Sequence, residues 1–124
     1  MTGNSTYSFV IEGEIPSKKN SHIRYAHGGL GPNKRYKEWE EATVWAFKGQ
    51  KPPSKPLLKT TEVMITFYPK TRRKSDLTNK AESIMDALVS ARILDDDNIF
   101  VVPRLVLEFG EISKENPRCE IEIW

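Results

Sequence analysis

The stretch Ser75-Asp76-Leu77-Thr78-Asn79-Lys80-Ala81-Glu82-Ser83-Ile84-Met85-Asp86-Ala87-Leu88, closing at Leu94-Asp95-Asp96-Asp97-Asn98, decides how this chain folds. Ala81, Ile84, Met85 and Leu88 recur at i, i+3, i+4 and i+7, which predicts an amphipathic helix from Leu77 or Asn79 to Ala91. Before it, Val63, Ile65 and Phe67 alternate with Met64 and Thr66 in a half-buried strand that Pro69 ends. After it, Ile99 to Val102 and Leu105 to Phe109 read as one strand bent at Pro103, because proline removes a ladder donor.

Working outward, Tyr7, Phe9 and Ile11 alternate with Ser8 and Glu12, a first strand ending near Gly13. Pro16 to Pro32 reads as a loop; its His22 and His27, five apart among glycines, are a poor template for a rigid metal site. Tyr36, Trp39, Thr43, Ala46 and Phe47 then share a helical face that Gly49 closes, with Trp39, Trp45 and Phe47 read as core. Lys51-Pro52-Pro53-Ser54-Lys55-Pro56 is a stiff connection. Cys119, Ile121 and Ile123 alternate with Glu120 and Glu122 in a last strand. The order strand, helix, strand, helix, strand, strand predicts an α+β fold: a small mixed sheet of about four strands packed with two helices, one domain over 1–124.

Composition sets the outer bounds. With 124 residues, 38% hydrophobic and 29% charged, the chain has apolar material for a single core. One cysteine, Cys119, excludes an intrachain disulfide framework and a cysteine-based zinc site. No apolar run reaches membrane-spanning length and the first residues lack a secretory pattern, so a cytoplasmic protein without a membrane partner is expected. A net charge of +2 argues little by itself; its distribution argues more. Ile15 to Lys37 holds six basic residues and no acid, Lys48 to Lys74 is interrupted only by Glu62, and the acids gather from Asp76 onward. One surface can then face phosphates while another repels them, although a solvated mixture of charges gives the same pattern.

The acids flank the central helix. Thr78, Glu82 and Asp86 are four apart and stack along one side of it. Asp95, Asp96 and Asp97 fall in the turn that follows, and a return antiparallel to the helix would bring them toward it. If Asp76, Glu82 and Asp97 converge, they make an oxygen-rich site suited to magnesium or manganese. The competing structural reading is capping: Asp76 or Asn79 at the helix start, with Asn79 and Glu82 as a capping box. A calcium loop beginning at Asp95 is excluded, since its sixth and twelfth positions hold Phe100 and Val106. Tyr25 and Tyr36, interleaved with Arg24, Lys34 and Arg35, offer rings on which exposed bases could stack.

The basic run Lys70-Thr71-Arg72-Arg73-Lys74, then Asp76-Leu77-x-Asn79, Asp86-Ala87-Leu88, and Asp96 and Asp97 before a valine-rich strand, together resemble the RusA family of Holliday junction resolvases. Ile15-Pro16-Ser17-Lys18-Lys19-Asn20 is similar to that family's opening. The resemblance implies a homodimer that binds a four-way DNA junction and makes paired nicks with Mg2+ or Mn2+, leaving 5′-phosphate and 3′-hydroxyl ends. It implies Asp76 and Asp97 as metal-binding aspartates, with Asp96 the neighbouring alternative. Lys18, Lys19, Arg72, Arg73, Lys74 and Asn79 would be DNA contacts. Two positions depart from the family: Thr78 stands where it has aspartate and Glu82 where it has lysine. Glu82 is then the candidate compensating ligand, and Lys80 or Lys74 the candidate catalytic cation. Thr78 also keeps open a second reading, a catalytically impaired module that binds branched DNA.

Overall fold

The computed structural model describes residues 4–17, 22–24, 30–32 and 34–124. Its elements in chain order are β1 (Tyr7–Glu12), β2 (His22–Arg24), β3 (Leu30–Pro32), α1 (Lys34–Lys48), β4 (Val63–Tyr68), α2 (Leu77–Ser90), β5 (Leu105–Phe109) and β6 (Arg118–Ile123). The main sheet has the order β1-β6-β4-β5. β6 pairs antiparallel with β1 and β4, whereas β5 pairs parallel with β4, since α2 carries the chain back between them. This is the mixed sheet with two helices that the periodicities predict.

Register explains the core. Phe9, Ile121 and Ile65 lie in one cross-strand row and Ile11, Cys119 and Phe67 in the next, all buried. Against them pack Phe47 of α1 and Ala81, Ile84, Met85 and Leu88 of α2. Burial of each large aliphatic side chain such as Ile84 or Leu88 stabilises by about 1.5–3 kcal/mol. The two sheet edges differ. At β1, the Val10 N–H donates to Gln50 Oε1 at 2.8 Å and Gln50 Nε2 donates to the Val10 carbonyl at 2.9 Å, so one side chain satisfies the edge backbone. Among the described residues, the outer edge of β5 has no partner strand in the sheet.

Three sequence expectations are corrected. The stretch 16–32 is not all loop: β2 and β3 pair antiparallel, and three-residue strands are too short to show alternation. His22 falls in β2, while Lys18, Lys19, Tyr25 and His27 lie outside the described residues. Ile99 to Val102 is a turn, because Asn98 Oδ1 accepts the N–H groups of Phe100 and Val101 and its carbonyl accepts those of Val101 and Val102. Those donors are spent locally and cannot enter a ladder. On α1, Tyr36, Thr43 and Phe47 are buried and Trp39 packs beside them, but Trp45 is 72% exposed and Ala46 is exposed too. Trp45 lies two residues from Phe47, about 200° around the helix. No described helix is long and apolar enough to cross a membrane.

Candidate active site

Asp76 is the N-cap of α2, with extended backbone (φ −82°, ψ 124°) and no side-chain bond to the helix amides. Its Oδ2 instead accepts Asn79 Nδ2 at 3.1 Å. The helix therefore begins at Leu77, Asn79 is its third residue, and the Asn79–Glu82 capping box does not form. Glu82 is exposed on the flank it shares with Thr78.

The acidic turn is aimed by the other end of α2. Ala91 is the C-cap, the Arg92 N–H donates to the Val89 carbonyl at 3.0 Å and the Ile93 N–H to the Leu88 carbonyl at 3.0 Å. This is a Schellman closure, with Arg92 at φ 61° where glycine is usual and buried Ile93 against Leu88. Leu94 then bridges in parallel to Leu57, and the Asp95 N–H donates to the Leu57 carbonyl at 3.0 Å. So anchored, the turn sends Asp97 back alongside the start of α2.

Thr78, Glu82, Met85, Asp97, Leu105 and Leu107 line one cleft of about 290 Å3. The Asp97 carboxyl is held above the usual aspartate range, first by partial burial, then by its hydrogen bond with Asp96 and by the charges of Asp96 and Asp86. Asp96 behaves oppositely. Its Oδ1 accepts the Asp97 N–H at 2.7 Å and its Oδ2 accepts Asn98 Nδ2 at 3.0 Å, and these bonds lower its pKa. Asp96 shapes the turn; Asp97 faces the cleft.

Asp76 lies elsewhere. With Asn79, Lys80, Arg73, Lys74 and Glu14 it borders a cleft of about 710 Å3 on the opposite flank of α2. Lys80 Nζ is 3.8 Å from Glu14 Oε2, and Glu14 Oε1 accepts the Lys70 N–H at 3.2 Å. Lys80 thus faces the basic flank and not the Glu82–Asp97 cleft. Among the described residues no group of three or more His, Cys, Asp or Glu is placed to hold a metal ion. Arg72 joins Arg73 and Lys74 on the adjoining wall. Glu62, the acid that interrupts the second basic stretch, is buried and bonded by Arg104 Nε, which removes it from the surface field.

Sequence reasoning missed three residues here. Glu14 and Arg118 reach the basic flank only through tertiary structure. Ser83, buried on α2, donates to the Pro16 carbonyl at 2.7 Å and so ties the Ile15-Pro16-Ser17 segment to the helix. The one available signal was a serine on an otherwise apolar helix face.

Cations on one flank of a helix and carboxylates on the other, set on a small α+β sheet, are the parts of a protein that handles phosphodiesters. A family model described as Endodeoxyribonuclease RusA matches residues 12–124, and the chain belongs to that family, whose activity is Holliday junction resolution by endonucleolytic cleavage. Among curated proteins, none matches the chain.

Proposed function

We propose that this chain is a divalent-metal-dependent endodeoxyribonuclease that makes paired nicks in four-way DNA junctions during recombination and repair, acting as a homodimer of single-domain subunits. The observation that carries the metal reading is Glu82 and Asp97 lining one cleft, where burial first and then the neighbouring Asp96 and Asp86 hold the Asp97 carboxyl above the usual aspartate range. Magnesium is commonly bound by one or two carboxylates, completed by water and substrate phosphate oxygens, so this donor set fits it. Glu82 and Asp97 would hold the ion, and the Thr78 hydroxyl adds a neutral oxygen to the same cleft. A divalent ion there supplies activation of water and neutralisation of charge at the scissile phosphate.

The remaining residues bind and position. Asp96 orients Asp97 through its N–H. Arg72, Arg73, Lys74 and Lys80 hold the DNA backbone on the other flank of α2, and Lys80, paired with Glu14, acts there as a phosphate contact. Asp76, hydrogen-bonded to Asn79, is a carboxylate at the edge of this basic surface and lines a different cleft from Glu82 and Asp97. A second copy is supported by the open edge of β5 and by Ile99 and Phe100, 74% and 78% exposed in the turn before it. Two symmetric sites account for paired nicks.

The deciding experiment is a synthetic four-way junction incubated with magnesium and, separately, with chelator, then read on a denaturing gel. Symmetric nicks with magnesium alone are expected. Binding without cutting under either condition would instead establish the impaired-module reading that Thr78 keeps open.

A further inference from the structure

Outside the carboxyl ends of the parallel strands β4 and β5 lies another cavity, of about 330 Å3, in which apolar and cationic groups are combined. Ligands of open sheets with parallel strands collect at such ends. The floor is Phe67, Leu77, Ile112 and Phe109, the last 54% exposed. Around the rim stand Arg72, Arg73, Lys74, Lys80 and Arg118, and the acid there, Glu14, is bonded to Lys80 and to the Lys70 N–H.

One wall is prearranged. The Arg118 guanidinium sits 4.0 Å from the centroid of the Tyr68 ring and is held by Glu120 Oε2 at 2.8 Å and the Asn116 carbonyl at 3.1 Å. Gly110 passes so close that a Cβ there would lie 2.5 Å from the Tyr68 ring. Any other residue would displace the ring, so the end of β5 is fitted to it.

We propose that this cavity receives one unpaired DNA nucleotide, its base against Phe109 and the Tyr68–Arg118 wall and its phosphates on Arg72, Arg73, Lys74 and Lys80. An apolar floor alone suits many apolar groups, and cations alone suit any phosphate. Both within a single small-ligand-sized cavity match an object that is flat and apolar at one end and anionic at the other. Continuous duplex keeps its bases stacked inside; a branch point offers one at lower unstacking cost. The inference rests on the branched-DNA reading and gives that preference a structural cause.

The test uses four-way junctions carrying 5-iododeoxyuridine at the branch point or in mid-arm. They are bound to the full chain in chelator so that strands stay uncut, irradiated, and the crosslinked peptides mapped by mass spectrometry. The branch-point probe is expected to crosslink to Tyr68 or Phe109, and the mid-arm probe to neither. In parallel, gel-shift titrations give the junction-to-duplex affinity ratio. Phe109→Ala should lower that ratio about five-fold or more, the scale of one lost base–aromatic stack, and Phe109→Tyr should restore it. A parent protein that binds junction no tighter than duplex overturns the branched-DNA reading and this assignment with it. A parent that prefers junctions but crosslinks the branch-point base elsewhere, or a Phe109→Ala variant that keeps the parent ratio, overturns the nucleotide pocket alone.

Discussion

Asp97 holds its proton more tightly than an ordinary aspartate, because it is partly buried and crowded by Asp96 and Asp86. A carboxyl whose folded pKa is raised favours the fold fully only below its unfolded pKa, and that favour is lost as pH rises through the folded value. At neutral pH the charge therefore costs stability, on the few-tenths to about 1 kcal/mol scale of exposed charge pairs. Asp97→Asn should raise the melting temperature slightly at pH 7 and leave it unchanged near pH 3. It should also remove magnesium-dependent cleavage, with junction affinity equal or tighter, since deleting a negative charge near phosphates cannot weaken their attraction. Magnesium should stabilise the parent and not the variant in a thermal melt. For Glu82→Gln the readout separates ligand from support. Glu82 makes no capping box, so the melting temperature should move little, whereas loss of its anionic oxygen should cost most of the cleavage rate. Parent-like cutting by Glu82→Gln would shift the second carboxylate to Asp86.

The elements aim these residues. α2 begins at Leu77 because Asp76 is extended there, and it ends in a Schellman turn that closes on Arg92 at φ 61°. A left-handed conformation costs a non-glycine residue roughly 1–2 kcal/mol. Arg92→Gly should therefore stabilise the fold by about 0.5–1 kcal/mol after its greater unfolded-state entropy is subtracted. Chemical denaturation would show this as a higher midpoint at unchanged slope. A drop in the midpoint would mean that the arginine side chain contributes something the backbone geometry does not show.

At the scale of the molecule, α2 divides two electrostatic fields: carboxylates on the side of Glu82 and Asp97, cations on the side of Lys80 and Arg73. Neutralising Arg72, Arg73 and Lys74 together should weaken junction binding and flatten its salt dependence, because each lost phosphate contact removes about one released counterion. An unchanged slope in salt titrations would place the DNA on another face. Assembly has its own measurement. Sedimentation at micromolar concentration should give twice the monomer mass, with the open β5 edge and the exposed Ile99 and Phe100 as the shared surface. A strict monomer, with junction present, would leave paired nicks without an explanation.

Periodicity by itself determined β1, β4, β6 and both helices, because the alternation of Phe9 and Ile11, Val63 to Phe67 and Cys119 to Ile123, and the 3.6-residue recurrence of Tyr36 to Phe47 and of Ala81 to Leu88, are local consequences of burying one face. It was blind where local chemistry consumes backbone donors: Asn98 turns Ile99 to Val102 away from the ladder, though the residues themselves suit a strand. The acids and bases around α2 were legible as types and spacings. Which of them meet was not. Glu82 and Asp97 share a cleft because α2 and β5 are brought together by the parallel crossover and the Leu94–Leu57 bridge, while Asp76, six residues before Glu82 and so about 240° around the helix axis, falls on the other flank. Glu14, two residues past β1, and Arg118, the first residue of β6, come to the basic side from distant parts of the chain. Residue spacing fixes direction along one element; proximity between elements is set by strand register and crossover, which only the packed core selects.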